Sequence, residues 1–118
     1  MRYMLLIYND PTLFADFTPE DGARMMSDYF AFNQLIAESG EMVGGDPLQG
    51  IDTATTVRKR GDRVTTTDGP FAETKEVLGG YYLVDCDGLD RAMELAALIP
   101  GASTGSVEVR PLQELPPM

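Results

Sequence analysis

Two stretches of this chain are apolar at nearly every position. Residues 2–8, RYMLLIY, place Tyr3, Leu5 and Ile7 on one face of a strand and Met4, Leu6 and Tyr8 on the other, because successive side chains alternate across a strand. Residues 77–86, VLGGYYLVDC, repeat the two-sided pattern. Strands of this kind predict a sheet that is covered on both faces. A helical period follows the first strand. Thr18 is placed to cap it, Pro19 takes the first helical position, and Glu20 and Asp21 fill the first turn. Met25, Tyr29, Phe32 and Ile36 form its apolar stripe, flanked by Met26 and Leu35, until Gly40 ends it.

The remaining elements are shorter. Residues 41–48 read as a strand interrupted by glycines. Residues 53–60 and 63–67 form a hairpin about Gly61-Asp62, a pair suited to a two-residue turn. A second helix spans about 89–99, with Leu89, Ala92, Met93 and Ala96 expected inward, and residues 105–112 close as a strand. The order β-α-β-(two-stranded hairpin)-β-α-β predicts an α+β, ferredoxin-like domain over residues 1–112: an antiparallel sheet with both helices on one face. Residues 113–118 are expected to be a loose tail. Two helices on one side leave the other apolar face bare, and a bare apolar face marks an interaction surface. The economical solution is a homodimer with its two sheets face to face.

Charge and composition narrow the chemistry. Nine basic against nineteen acidic residues leave a net charge of −10, which disfavours nucleic acid as a partner. The cluster Arg58-Lys59-Arg60 reads as a solvated hairpin tip. With one cysteine, Cys86, there is neither an intrachain disulfide nor a thiolate metal cage. Residues 2–8 read as a strand rather than a signal peptide, and no apolar run reaches membrane-spanning length, so a cytoplasmic protein without membrane partners is expected. Histidine is absent. Acid–base work therefore falls to Asp, Glu, Lys, Tyr or the lone thiol. No glycine-rich nucleotide loop and no spaced ligand set is visible, so neither a cofactor nor a metal is expected.

Three motifs in fixed order, RYMLLIY, DGPFAETKE leading into LGGYYLVD, and GSVEVRP, give the chain a resemblance to the DGPF branch of the YCII-related family over nearly its whole length. The resemblance implies a ferredoxin-like fold in the dimeric α/β-barrel group. Relatives with that barrel include cofactor-independent oxygenases and isomerases as well as ligand-sensing modules, and the branch occurs linked to extracytoplasmic-function sigma factors. The His–Asp pair of the YCII proteins proper cannot be carried over, because this chain has no histidine and reads LIPGAST after its second helix.

The DGPF segment itself admits two readings. Asp68 can cap a tight turn through Gly69-Pro70, with Phe71 plugging the core. Glu73, Thr74, Lys75 and Glu76 crowd four polar groups before an apolar strand. Lys75 could bind an anion or act as acid–base group or amine nucleophile, with Asp68 or Glu76 as orienting carboxylate; equally, it could form a surface ion pair. Thr74, Gly79, Gly80, Tyr29 and Arg110 are candidates for substrate contact. Gly79-Gly80 can instead serve a bulge or close packing, and Arg110 an ion pair with the partner subunit. Cys86 reads as an inert thiol. The leading expectation is a small-molecule cavity lined by this segment, supporting cofactor-independent acid–base chemistry on a small metabolite. The alternative is a non-enzymatic interaction or regulatory module that docks a protein partner.

Overall fold

The computed structural model describes residues 1–117. Its strands are β1 (Arg2–Asn9), β2 (Met42–Pro47), β3 (Thr55–Arg60), β4 (Arg63–Asp68), β5 (Val77–Asp85) and β6 (Ser106–Pro111), with helices α1 (Pro19–Glu38) and α2 (Leu89–Leu98). Strand β1 lies between β5 and β6, and β2 pairs with β5 on the outside, giving the order β2-β5-β1-β6 with all pairings antiparallel. Leaving out the hairpin, this is the strand order of a ferredoxin-like sheet, and the α+β antiparallel architecture expected from the sequence is present. Strands β3 and β4 form a separate two-stranded sheet. They carry charged and threonine side chains on both faces, and nearly all of these are exposed.

Local signals account for the helix boundaries. Thr18 Oγ1 accepts the Asp21 N–H at 3.1 Å, and the Asp21 carboxylate accepts the Thr18 N–H at 3.0 Å. This reciprocal box satisfies donors that the first turn would otherwise leave unpaired. At the other end Gly40 adopts φ +79, Glu41 N–H reaches back to the Ile36 carbonyl and Gly40 N–H to that of Ala37. That is a Schellman ending, and it needs the left-handed residue that glycine supplies.

The core lies between the helices and one face of the sheet. Tyr3, Leu5 and Ile7 of β1 and Tyr82 and Val84 of β5 are buried against Phe32 and Ile36 of α1 and Ala92, Leu95 and Ala96 of α2. Phe32 meets the Tyr82 ring edge-on at 5.0 Å. The inward stripe of α2 differs from the expected one: Leu89 and Met93 are 51% and 48% exposed, whereas Leu95 and Ile99 are fully covered. In this phase the helix buries Ala92, Leu95 and Ala96, and Arg91 reaches across to Glu41 just before β2, where Nε and Nη2 each donate at 2.9 Å to the carboxylate. The planar fork on a carboxylate adds a fixed orientation to that packing.

The opposite face carries Met4, Leu6, Tyr8, Tyr81 and Leu83, all half-buried and without a covering layer. The molecule is a slab of 47 × 47 × 18 Å. Among the described residues no helix is long and apolar enough to cross a membrane.

Candidate functional site

One irregularity in the sheet opens a space beneath α1. The β1–β5 pairing slips between Ile7, which faces Gly80, and Tyr8, which faces Leu78. Gly79 is thus the extra residue of a β-bulge, the role that glycine inside a strand suggests. Its carbonyl accepts the Leu48 N–H at 2.9 Å, which draws the chain after β2 over the sheet. Gly80 lies where β2 comes close. A Cβ there would stand 3.1 Å from the Asp46 carbonyl and 3.3 Å from Pro47 Cα, so any larger residue would require β2 to give way slightly.

The result is a cavity of about 480 Å³, within the usual range for small-molecule sites. Ile7, Gly79 and Gly80 form its floor, Tyr29 and Asn33 of α1 one wall, and Phe14 with residues 47–51 the rim. Its polar groups converge at the helix side. Tyr29 Oη accepts the Gly101 N–H at 3.1 Å and keeps its own proton to donate. The Tyr82 hydroxyl is hydrogen-bonded to Asn33 Oδ1. That pair holds one hydroxyl and two amide protons and commits one of them to its mutual bond, so donors remain for a ligand. Burial raises the pKa of Tyr29, with the Gly101 N–H opposing, and raises that of Tyr82 to about 12, helped by the neighbouring Tyr29. Both are therefore neutral donors at physiological pH.

A second cavity of about 710 Å³ lies on the uncovered side of the sheet and shares residues 48–51 with the first. Pro70, Phe71, Thr74, Glu76 and Tyr8 line it. Phe71 does not plug the core as expected: its ring is 81% exposed. Nor does Asp68 cap the turn. It ends β4 opposite Thr55, while the turn is fastened by Gly69 N–H to the Ala54 carbonyl at 2.7 Å and Thr56 Oγ1 to the Gly69 carbonyl at 2.8 Å. Gly69, at φ +103, takes the conformation that makes the turn possible.

The sequence-derived candidates are thereby divided. Tyr29, Gly79 and Gly80 meet at the first cavity; Thr74 and Glu76 lie at the second. Thr74 Oγ1 donates to the Glu76 carbonyl at 2.6 Å, and Ser106 Oγ to the Glu76 carboxylate at 3.2 Å. Lys75 and Asp68 line neither space. Lys75 is exposed and has no ion-pair partner among the described residues. Its charge is a minor contributor at Asp10, whose carboxyl is held below the usual range mainly by the Thr12 hydroxyl and N–H. Arg110 pairs with Glu108 of its own strand. Cys86 is buried, its thiol 3.5 Å from the Gly88 carbonyl. No group of three or more metal-ligating side chains occurs among the described residues.

Asn33 is the residue that sequence reasoning passed over. It stands four residues beyond Tyr29 and three before Ile36, a polar side chain on the inward stripe of α1. A polar residue at a stripe position is the signal that could have found it.

Two comparisons place the chain among known proteins. It matches the YCII-related domain over residues 1–116. An uncharacterised protein of Rhizobium meliloti (strain 1021) is 40% identical over 114 residues, spanning 95% of this chain and 92% of its own. Likeness of that extent, on a sheet of the expected strand order, shows that the chain belongs to the YCII-related family.

Proposed function

We propose that this protein binds a small molecule in the cavity beneath α1. One observation carries the reading: a space of about 480 Å³ that converges on the partly buried hydroxyl and amide groups of Tyr29, Asn33 and Tyr82. Apolar walls supply affinity and a few fixed donors supply orientation, which is the usual division of labour in such sites. The motifs DGPFAETKE and LGGYYLVD support assignment to the DGPF branch. A homodimeric α/β barrel fits the uncovered face of Met4, Leu6, Tyr8, Tyr81 and Leu83. The radius of gyration, 16.5 Å, fits it too, since a compact single domain of this length has roughly 13.5 Å. Docking a second sheet would roof the DGPF cavity and bring Glu76 and Thr74 next to a partner surface. Of the acid–base candidates Lys75, Asp68 and Glu76, only Glu76 lines that second space, and binding in the first needs none of them.

Titrating the isotopically labelled protein with neutral aromatic fragments while recording amide NMR spectra tests the reading. Shifts concentrated at Gly79, Gly80 and the Asn33 side-chain amide are expected. Shifts absent from those positions would refute it. The dimer has its own check: sedimentation should give twice the 12.9 kDa of one chain, and Leu6→Glu, which buries a charge at the interface, should give monomer.

A second reading is favoured by the hairpin β3–β4 and by Phe71, which are exposed almost throughout. As a docking surface they would serve a regulatory partner, such as one associated with a sigma factor. NMR shifts confined to β3, β4 and the DGPF loop upon addition of a candidate partner would support it.

A further inference from the structure

Within the reading that the cavity beneath α1 is a binding site, on which this inference rests, the charge of the ligand can be argued from the walls. Among the described residues lining the cavity there is no lysine and no arginine. The one carboxylate residue is Asp46, which accepts the Tyr81 hydroxyl at 3.3 Å. The polar groups that converge are neutral: a Tyr29 hydroxyl that keeps its proton, and an Asn33–Tyr82 pair with protons to spare. Around them lies a chain of net charge −10. The five arginines and lysines at Arg58, Lys59, Arg60, Arg63 and Lys75 are on the exposed hairpin and its neighbouring loop, and none lines this space.

An anionic group entering such a site would lose its water and gain no opposite charge, while the field of the whole molecule opposes its approach. A ketone, phenol or alcohol oxygen faces no such difficulty. It needs one or two fixed donors, and two sources of donors are present. We propose that the cavity selects an uncharged, largely apolar molecule carrying a carbonyl or hydroxyl oxygen, whose oxygen is held by Tyr29 and Asn33, and that it rejects the corresponding carboxylate. This runs against the anionic substrate that Lys75 suggests in the sequence.

Two probes separate the cases: 2-naphthol and 2-naphthoate share a ring system and differ in charge near neutral pH. Calorimetric titration of the full chain should show the naphthol binding roughly tenfold or more tightly than the naphthoate, a difference equivalent to about 1.4 kcal/mol. Asn33→Leu should remove most of the naphthol affinity. Tyr29→Phe should do the same, with the reservation that it also strips the Gly101 N–H of its acceptor; thermal melts of both variants identify any loss that comes from unfolding. Tighter binding of the naphthoate would overturn the selectivity while leaving the binding site standing. Naphthoate binding that disappears in Lys75→Met would show that this lysine reaches the ligand, and would overturn it equally. If neither probe binds, the cavity is not a site for aromatic molecules of this size, and the functional reading falls with the inference.

Discussion

The two faces of the central sheet are made by the same strands and have opposite fates. Beneath the helices, Tyr3, Leu5, Ile7, Tyr82 and Val84 are buried, and the polar atoms among them have partners: Tyr29 with Gly101, Tyr82 with Asn33. On the other face Met4, Leu6, Tyr8, Tyr81 and Leu83 are half-covered, and the loop that borders them offers Phe71 to solvent. Alternation along β1 and β5 makes both faces apolar, but only one is matched by a layer of this chain. The lesson concerns where chemistry resides. The charge-rich segment 73–76 is exposed, with Thr74 and Glu76 at the cavity on the unmatched side, whereas the groups held in fixed geometry lie on the side with the plainer sequence.

The largest effect that can test this contrast is a pair of truncations. Leu95 is fully buried under the helix layer, so Leu95→Ala should lower stability by about 2–5 kcal/mol. Leu83→Ala on the other face should have a much smaller effect in a single chain. In a dimer its effect should approach that of Leu95→Ala and vary with protein concentration. Urea unfolding of both variants at two concentrations decides between them; a small, concentration-independent Leu83 effect would break the dimer reading.

Next comes Gly101→Ala. A Cβ at this position would stand 2.8 Å from Tyr29 Oη and 2.9 Å from Ile7 Cγ2. Displacing them should destabilise the fold by about 1–3 kcal/mol. It should also weaken naphthol binding beyond what the stability loss explains, because Tyr29 is moved out of the cavity wall. An unaltered affinity would show that Tyr29 is structural only.

Smaller again are the pH effects, and they bracket the helix layer from both sides. The Glu41 carboxyl is lowered from 4.5, chiefly by the hydrogen bonds from Arg91, against some desolvation. A lowered folded value means the stabilisation is fully present above about 4.5 and is lost as pH falls through the lowered value. Glu41→Gln should flatten that acid limb. Tyr82 works in the opposite sense. Its value rises from 10.0 to about 12, so the folded state holds the proton more tightly, and stability declines as pH climbs between those values. In Tyr82→Phe the decline should shrink, as followed by unfolding in alkaline buffers.

The sequence carries most of the fold and little of the site, for a physical reason. Helix ends are local: Thr18, Pro19, Asp21 and Gly40 satisfy their own neighbourhood and can be read in place. That β1 and β5 sit inside the sheet also follows, since both are apolar on their two faces. The phase of α2 does not, since it rests on tertiary contacts: Leu95 is buried against the sheet layer and Arg91 meets Glu41, fifty residues away. The cavity is less local still. It rests on a one-residue slip at Gly79, the close approach of β2 at Gly80, and residues 29 and 33 arriving from another element. Gly79-Gly80 marks the slip in the sequence, but nothing near it indicates Asn33. Phe71 fails in the other direction: a large apolar ring predicts burial, and in a single chain no layer exists to bury it.

The smallest expected effect is at Lys75, and it sharpens the comparison most. Its side chain is exposed, has no ion-pair partner among the described residues, and lines neither cavity. In a single chain, Lys75→Met should therefore change unfolding stability by no more than about 0.5 kcal/mol. Should the loss instead reach about 2 kcal/mol at one fixed protein concentration, Lys75 satisfies a buried partner, as one member of a buried charge pair does for the other. A facing subunit is the expected source of that partner. The same small substitution thus reads out whether the DGPF side of the sheet is a surface or the inside of an interface, and repeating it in the Leu6→Glu background separates the two. In monomer the effect of Lys75→Met should vanish; if it persists there, the lysine is held within its own chain and the contrast between the two faces is narrower than their exposure implies.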